Sequence, residues 1–545
     1  IYKFMNDMDE QSVSMGGKAT YFSEKFEKYS WNNLFDTKTS GVEKITLYSE
    51  ALNSMHNNEN LPELFREIFK DSVLPFKDPS TLNKFLKEID EFHYSNSEKL
   101  GDAFEYLLSF MGSQGDAGQF RTPRHIIDFI VEIINPEKSE NILDPACGTA
   151  GFLISSYKHI LKQNTKKNLG DGLNASDRKN IGENLNGYDI SPDMVKMSLV
   201  NMYLHKFTNP RIIEYDTLSS EDKWNEYYDV ILANPPFFSP SGGIVPHNRF
   251  SINSTRAEIL FIDYINEHLK PNGRAGIIVP EGVITQTGGV YRELRKKLIK
   301  TSLIAVVSLP SGVFQPYSGV KTSILILDKK KSKRLKNIIF LKIVNDGYSL
   351  SSQRSKIDKN DLPDVFSDIM KFNADSKQDN LISKNELINN SNCSLNPSDY
   401  LKNSRTKNKG YVKLNNEKYF ELTSGGTPKS KIQEYWNGQI NWITLADLPS
   451  NEFITEIKNS KRKITELGLA KSSAKIIPKN SVVVSTRATI GRVGVNKVEL
   501  STNQGFKNII IKDKKEVSYK YVAYLMKSLE KNMNDLATGA TFKEL

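Results

Sequence analysis

Cysteine is almost absent from this chain: 545 residues contain two, Cys147 and Cys393. Two thiols cannot build a disulfide framework or a metal cluster, so the cytoplasm is the default location. Histidine is nearly as scarce, with seven scattered residues and no ligand-like spacing, and no metal is expected. Long apolar runs are missing too. Strings such as Ser323-Ile324-Leu325-Ile326-Leu327 are strand-sized, well short of the roughly 18 residues a membrane span needs. No membrane partner is therefore expected. Residues Ile1 to Asp7 do not form a signal peptide. A chain opening on Ile1 and closing on Phe542-Lys543-Glu544-Leu545 reads as a fragment cut at both ends. No internal repeat is visible.

What is present is ordinary in amount and uneven in placement. Hydrophobic residues make up 38% and charged residues 25%, as in a globular protein, and the length calls for two to four domains. Residues 401–545 hold 26 Lys and Arg against 13 Asp and Glu. That excess of 13 exceeds the +10 of the whole chain and leaves residues 1–400 at −3. A basic module on a near-neutral body points to a polyanion partner, although a lysine-rich soluble surface would look the same by charge alone.

Residues 20–110 read as helices, with apolar spacing of three and four in Leu61–Phe69 and Thr81–Ile89. A glycine-rich loop, Gly112 to Gly118, precedes a helix expected to begin at Pro123. From Asn141 to Asp328 strands and helices alternate. Strands are expected at 141–144, 185–190, 211–215, 228–233, 274–279, 303–309 and 322–328, and helices at 151–163, 191–206, 257–270 and 291–300. This is the signature of a doubly wound, mostly parallel α/β sheet. The basic stretch 329–336 reads as a solvated linker. A polar, turn-rich segment, 389–410, marks a boundary. Short β-like pieces at 440–444, 481–486, 492–495 and 507–512 and a helix at 518–530 follow it. The expected layout is a helical domain (1–100), a doubly wound core (101–330), an extension and linker (331–405) and an α+β module (406–545).

Two turns carry the chemistry. After the first strand comes Asp144-Pro145-Ala146-Cys147-Gly148-Thr149-Ala150-Gly151, where Gly148 and Gly151 let the backbone approach a ligand closely. The next strand ends at Asp189, an acceptor for ribose hydroxyls, and the third at Tyr215-Asp216, placed to bond an adenine amine. Asp144 and Asp189 are 45 residues apart, against roughly 20 in a dinucleotide fingerprint. The polar excess, Asn164 to Asn184, reads as a loop insertion. Cys147 reads as a packing residue.

The second turn, Asn234-Pro235-Pro236-Phe237, closes the apolar run Tyr228–Ala233. An exocyclic amine on a base is a poor nucleophile because its lone pair is delocalised into the ring. The Asn234 carboxamide oxygen and the Pro235 carbonyl can accept both of its N–H bonds and free that pair. Pro236 stiffens the turn, and Phe237 would stack on a base rotated out of the duplex.

In this order the two turns resemble the amino-methyltransferases of DNA, and more narrowly the modification subunit of type I restriction-modification systems. Gly118-Gln119-Phe120-Arg121-Thr122-Pro123-Arg124 is specific to that subunit, with Arg121 where an aromatic is common. The resemblance covers about residues 100–330 well and implies a Rossmann-like core that binds S-adenosyl-L-methionine. It implies a cofactor site lined by Gln119, Phe120, Arg121, Thr122, Pro123, Arg124, Asp144, Gly148, Thr149, Ala150, Gly151, Asp189 and Asp216. The implied activity is methylation of adenine N6 in double-stranded DNA.

Residues 411–545 resemble one target-recognition half of the type I specificity subunit, through Leu422–Pro428, Trp442–Leu448, Ser485–Gly491, Thr502–Phe506 and Thr538–Phe542. In the family this is normally a separate polypeptide with two such halves. Arg487 and Arg492 suit guanine edges or phosphates, and Asn503 and Gln504 suit adenine. Gly425-Gly426-Thr427-Pro428 reads as a tight turn, and Asp447 with Glu456-Ile457-Lys458 is only a faint nuclease-like pattern. The implied partners are DNA, a restriction subunit bearing nuclease and translocase functions, and a homodimer mate or second recognition half.

Two other readings stay open. One is methylation of cytosine N4 or of another nucleic-acid or protein amine. The other is a DNA-specificity protein whose methyltransferase fold is idle. If the basic module supplies phosphate contacts, affinity for duplex DNA in gel-shift titrations should fall at least tenfold between about 50 and 200 mM salt.

Overall fold

The computed structural model describes residues 1–36, 38–92, 100–101, 103–105, 121–237, 243–315, 318–351, 354–400, 414 and 416–536. The chain forms two compact units: Ile1–Tyr317 with Thr322–Pro397, and Ser318–Lys321 with Ser398–Leu545. No helix among the described residues is long and apolar enough to cross a membrane.

The first unit is built on a nine-stranded sheet. Its strands are β1 (Ile142–Asp144), β2 (Leu185–Asp189), β3 (Arg211–Glu214), β4 (Tyr228–Ala233), β5 (Leu269–Pro280), β6 (Leu303–Ser308), β7 (Thr322–Asp328) and β8 (Asn337–Lys342). A two-stranded hairpin, β9 (Asp346–Tyr348) and β10 (Lys356–Asn360), lies apart from it, and β11 (Leu381–Ser383) closes it. The order is β11-β8-β6-β7-β5-β4-β1-β2-β3. Strands β3, β2, β1, β4 and β5 run parallel, β7 is antiparallel to both β5 and β6, and β11 is antiparallel to β8. The sheet is doubly wound and mostly parallel, with the strand order reversing between β1 and β4. In such sheets ligands bind at the carboxyl edge of that reversal.

Burial explains the strands. Val230 to Ala233 and Ile324 to Leu327 are covered on both faces, as the central strands of a parallel sheet require. The helix Arg124–Ile134 buries Ile126, Ile127, Phe129, Ile130, Val131, Ile133 and Ile134, and it begins one residue later than expected, with Pro123 at its N-cap. Helices Gly151–Gln163, Pro192–Leu204, Ala257–His268 and Gly289–Thr301 fall where the apolar periodicity puts them.

Upstream, helices Tyr2–Ser14, Trp31–Phe35, Gly41–Met55, Glu63–Phe69 and Pro79–Asp90 share one hydrophobic cluster with the sheet. The buried Asp9 carboxylate accepts the backbone N–H groups of Thr20, Tyr21 and Phe22 at 2.7–3.1 Å. Phe65 meets Tyr203 of the core edge-on, at 4.7 Å between ring centroids.

Two stretches differ from the sequence expectation. Residues 164–184 are not all loop, because Ala175–Asn184 is a helix whose start is closed by a reciprocal Asn174–Asp177 capping box. Only Ile181 of that helix is buried, so it carries no apolar stripe to reveal it. The basic stretch 329–336 is not a solvated linker. Lys329–Ser332 is a short helix, Leu335 is buried, and β8 follows at once to extend the sheet. The Lys329 ammonium reaches the Leu269 carbonyl at 2.6 Å, the behaviour of a long side chain that buries its stem and keeps its head hydrogen-bonded.

The second unit is α+β. A five-stranded sheet has the order β12 (Phe420–Ser424), β19 (Phe506–Ile511), β16 (Val482–Ser485), β17 (Val493–Asn496) and β14 (Thr455–Ile457). A smaller sheet pairs β15 (Arg462–Ile464), β13 (Trp436–Ile443) and β18 (Ser501–Thr502). Helix Tyr519–Ser528 sets Val522 and Ala523 into a cluster with Val482, Val484, Val493 and Val495.

Gly425 and Gly426 are not a positive-φ tight turn. Their N–H groups donate to the carbonyls of Phe506 at 3.3 Å and Thr502 at 2.8 Å. A Cβ on Gly425 would lie 1.9 Å from the Asn503 carbonyl oxygen, and one on Gly426 would lie 2.3 Å from the Ala474 nitrogen. Glycine is needed here because three backbones cross. Gly426→Ala should lower stability by about 2–3 kcal/mol through overpacking in chemical denaturation. Gly289→Ala, where nothing lies within 4 Å of the added carbon, should be neutral or slightly stabilising.

Candidate active site

Three turns at the carboxyl edge of the parallel strands converge. The first leaves β1 at Asp144 and enters helix Gly151–Gln163. Within it the Cys147 N–H donates to the Tyr188 carbonyl at 2.8 Å and the Gly148 N–H to Asp189 Oδ2 at 2.9 Å. Gly148 and Ala150 take positive φ values of 54° and 64°, strained for the alanine. The turn is gripped from behind: Ser198 Oγ donates to the Gly148 carbonyl at 2.6 Å and Asn201 Nδ2 to the Thr149 carbonyl at 2.8 Å. Among the described residues nothing lies within 4 Å of a Cβ built on Gly148. The result is a backbone turn held firmly from behind.

Asp189 ends β2. Its Oδ1 accepts the Ser191 N–H at 2.9 Å, so each oxygen holds one backbone donor and keeps a lone pair for a hydroxyl. Burial lifts its carboxyl above the ordinary range, against the pull of the Ser191 and Gly148 N–H bonds. The neighbouring Ile190 is 66% exposed, an apolar surface beside the acid. Beyond β3, Asp216 Oδ1 accepts the N–H groups of Leu218 and Ser219 at 3.0 and 3.1 Å. The Thr217 hydroxyl donates to the Pro145 carbonyl at 2.9 Å and ties this turn to the first.

The third turn leaves β4. Asn234 Nδ2 donates to Thr122 Oγ1 at 2.8 Å, while Asn234 Oδ1 is buried with no hydrogen-bond partner among the described residues. Pro235 is buried, Pro236 exposed and Phe237 half-buried. The Phe237 ring meets Phe314 edge-on at 6.4 Å.

The segment before helix Arg124–Ile134 joins this edge. Thr122 touches Asn234, and Arg124 donates to the Gly151 carbonyl at 3.3 Å and pairs with Glu105. Arg121 and Pro123 are half-buried. Gln119 and Phe120 lie outside the described residues. Sequence reasoning misses Ser198 and Asn201, whose one-turn spacing on helix Pro192–Leu204 is the only hint of a shared task.

In the second unit the predicted DNA-contacting residues divide. Arg487 and Gln504 are exposed on adjacent loops, which the Thr486 N–H joins by donating to the Gly505 carbonyl at 2.8 Å. Gln504 Oε1 accepts the Thr427 hydroxyl. Asn503 Oδ1 instead closes its own turn on the Gly505 N–H at 3.0 Å. Arg492 donates to the Leu448 carbonyl at 2.7 Å, a bond that holds the fold. Asp447 caps the Leu445–Asp447 turn, and Glu456 pairs with Lys497 at 2.9 Å. Among the described residues no group of three metal-ligating side chains forms.

Residues 95–409 match the profile of the family described as N-6 DNA methylase, and residues 408–545 that of the type I restriction modification DNA specificity domain. The type I restriction enzyme EcoEI methylase subunit of Escherichia coli is 32% identical over 271 residues, 48% of this chain and 54% of that protein. The MjaIX specificity subunit of Methanocaldococcus jannaschii is 42% identical over 125 residues, 23% of this chain and 29% of that protein. The chain thus spans about half the length of the methylase subunit it matches. The solved methyltransferase subunit of a type I restriction-modification system from Streptococcus thermophilus superposes with a TM-score of 0.57 at 18% identity, over 73% of this chain and 92% of that one. At that identity the likeness is one of fold.

Two acids, Asp144 buried and Asp189 half-buried, give the edge a pH signature. Burial pushes the Asp144 carboxyl well above the ordinary 3.8, and the Asp189 charge adds to the shift. Burial also drives the Cys147 thiol up, followed by both carboxylates, which leaves it an inert packing residue. A folded-state value above the unfolded one means that stability declines as pH rises from the ordinary carboxylate range toward the raised value. Asp144→Asn keeps an acceptor for the Ala146 N–H and should remove that slope. Its denaturation midpoint should gain on the wild type between about pH 4 and pH 7.

Proposed function

Because the chain belongs to the N-6 DNA methylase family, we propose that it methylates adenine N6 in double-stranded DNA using S-adenosylmethionine. Its second unit would choose the sites, and the chain would be the modification component of a restriction-modification system. The observation that carries this reading is the buried Oδ1 of Asn234, without a donor among the described residues, on a turn at the same carboxyl edge of the sheet as the Gly148 turn. A buried acceptor without a donor costs about 1–3 kcal/mol and is satisfied when an amine N–H enters.

The residues fit the cofactor. Gly148 to Gly151 offer close backbone approach, Asp189 keeps lone pairs for ribose hydroxyls, Ile190 offers an apolar face and Asp216 stands at the neighbouring strand end. Bound there, S-adenosylmethionine supplies an electrophilic methyl on a positively charged sulfur. Asn234 Oδ1 and the Pro235 carbonyl then accept the two N6 hydrogens of a base rotated out of the duplex. Holding both N–H bonds favours a pyramidal nitrogen and frees its lone pair to attack. Held by Gly148 to Gly151, Asp189 and Asp216, the cofactor would give its methyl to that lone pair and leave as the neutral thioether, while the extra proton on N6 would pass to solvent water. Phe237 supplies the stacking surface and Pro236 keeps the turn rigid.

The partners this reading implies are duplex DNA, a restriction subunit, and a second recognition half or a second copy of the chain. The setting is the cytoplasm.

The test uses the full chain, tritiated S-adenosylmethionine and unmodified duplex DNA, with the product digested to nucleosides and identified by mass spectrometry. N6-methyladenine is expected. Asn234→Ala should reduce transfer at least 100-fold, as for other preorganised hydrogen-bonding groups, with binding of cofactor and DNA retained. Transfer to cytosine, or undiminished turnover by Asn234→Ala, overturns the reading.

A further inference from the structure

An amide oxygen and an amide nitrogen are nearly the same size, so a carboxamide is oriented by its hydrogen-bond partners. If Asn234 is to accept from a substrate amine, its NH2 must find an acceptor on the opposite side. Thr122 Oγ1 is that acceptor, 2.8 Å from Asn234 Nδ2 and 112 residues away in the chain.

Thr122 is itself held in place. It precedes Pro123, which restricts it to extended backbone, and Pro123 caps helix Arg124–Ile134. The next two side chains fasten that helix start. Arg124 reaches the Gly151 carbonyl at 3.3 Å, and His125 bonds the buried Asp346 at 3.0 Å and stacks on Tyr348 at 4.3 Å between ring centroids. The amine acceptor, the glycine turn and hairpin β9–β10 are therefore tied to one helix end.

We propose that Thr122 is a positioning residue for the methyl transfer: its hydroxyl receives the Asn234 N–H, turns Oδ1 toward the target amine and, through Arg124, keeps that oxygen in register with the glycine turn. Donation through the N–H also polarises the amide and makes its oxygen a better acceptor, since chained hydrogen bonds strengthen one another. This rests on the function proposed above. It gives Thr122 a different task from the cofactor contact that the family resemblance implies.

The two tasks separate kinetically. In the full chain, Thr122→Val keeps the side-chain shape and removes the acceptor, and Thr122→Ser restores the hydroxyl. With tritiated S-adenosylmethionine and unmodified duplex DNA, Thr122→Val should lower kcat about tenfold, the effect of one buried hydrogen bond. Its KM for S-adenosylmethionine and its affinity for S-adenosylhomocysteine should stay within about twofold of wild type. Thr122→Ser should recover most of kcat. A rise in KM and weaker S-adenosylhomocysteine binding at unchanged kcat would make Thr122 a cofactor contact and overturn the proposal. Equal losses in Val and Ser variants, with matching drops in melting temperature, would also overturn it. The base methylated by the wild type is read separately: N4-methylcytosine would defeat the adenine reading and leave the Thr122 comparison valid, because the same amide would hold that amine.

Discussion

A parallel sheet that reverses its strand order between β1 and β4 leaves a crevice at its carboxyl edge, and the site depends on that constraint. Every strand end there emits a turn, and each turn is held by side chains from a different element. Ser198 and Asn201 hold the first turn from one helix, Thr217 holds it from the turn after β3, and Thr122 holds Asn234 from the segment that leads into helix Arg124–Ile134. Rigid support of this kind lets the crevice keep a desolvated amide oxygen and two neighbouring aspartates, Asp144 buried and Asp189 half-buried, without collapsing onto them. Burial raises the proton affinity of both, and the Asp189 charge adds to the rise at Asp144. The fold accepts that cost because Asp189 must be anchored by backbone donors to present its remaining lone pairs.

Much of the first unit is legible in the sequence because its strands are buried on both faces and read as unbroken apolar runs. Strands β1, β4, β6 and β7 belong to this class. What is not legible has a physical reason in each case. The helix Ala175–Asn184 buries one residue and is set by its capping box, so it has no periodicity to detect. The lysines at 329–331 read as solvent-facing by charge, yet Lys329 and Lys331 are half-buried and Lys329 bonds the Leu269 carbonyl. Gly425 and Gly426 look like a turn because glycine serves both positive φ and close approach, and only the packing distinguishes them.

The site shows the same division. Residue type and place identify Asn234, Gly148, Asp189 and Asp216 as candidates, since each is a polar or glycine residue at or just after the carboxyl end of an expected strand. It cannot tell which long-range partner each one has. Thr122 sits within a segment legible as a unit, but its contact with Asn234 spans 112 residues and follows from how helix Arg124–Ile134 lies on the sheet. Arg492 shows the same limit: a cation in a basic module invites a nucleic-acid role, and its bond to the Leu448 carbonyl, 44 residues away, is not visible in the sequence.

That bond sharpens the division of labour within the second unit. Arg492 and Asn503 shape the loops by bonding to backbone groups, whereas Arg487 and Gln504 present exposed side chains from the loops so shaped. On the proposed reading, sequence choice then rests on the exposed pair and its neighbours, and the internal pair sets where they stand. The single chain carries matches to both a methylase family and a specificity domain, meeting at residues 408–409. On the proposed reading, joining the two makes delivery of a recognised base an intramolecular event, with an effective concentration set by the connection between them.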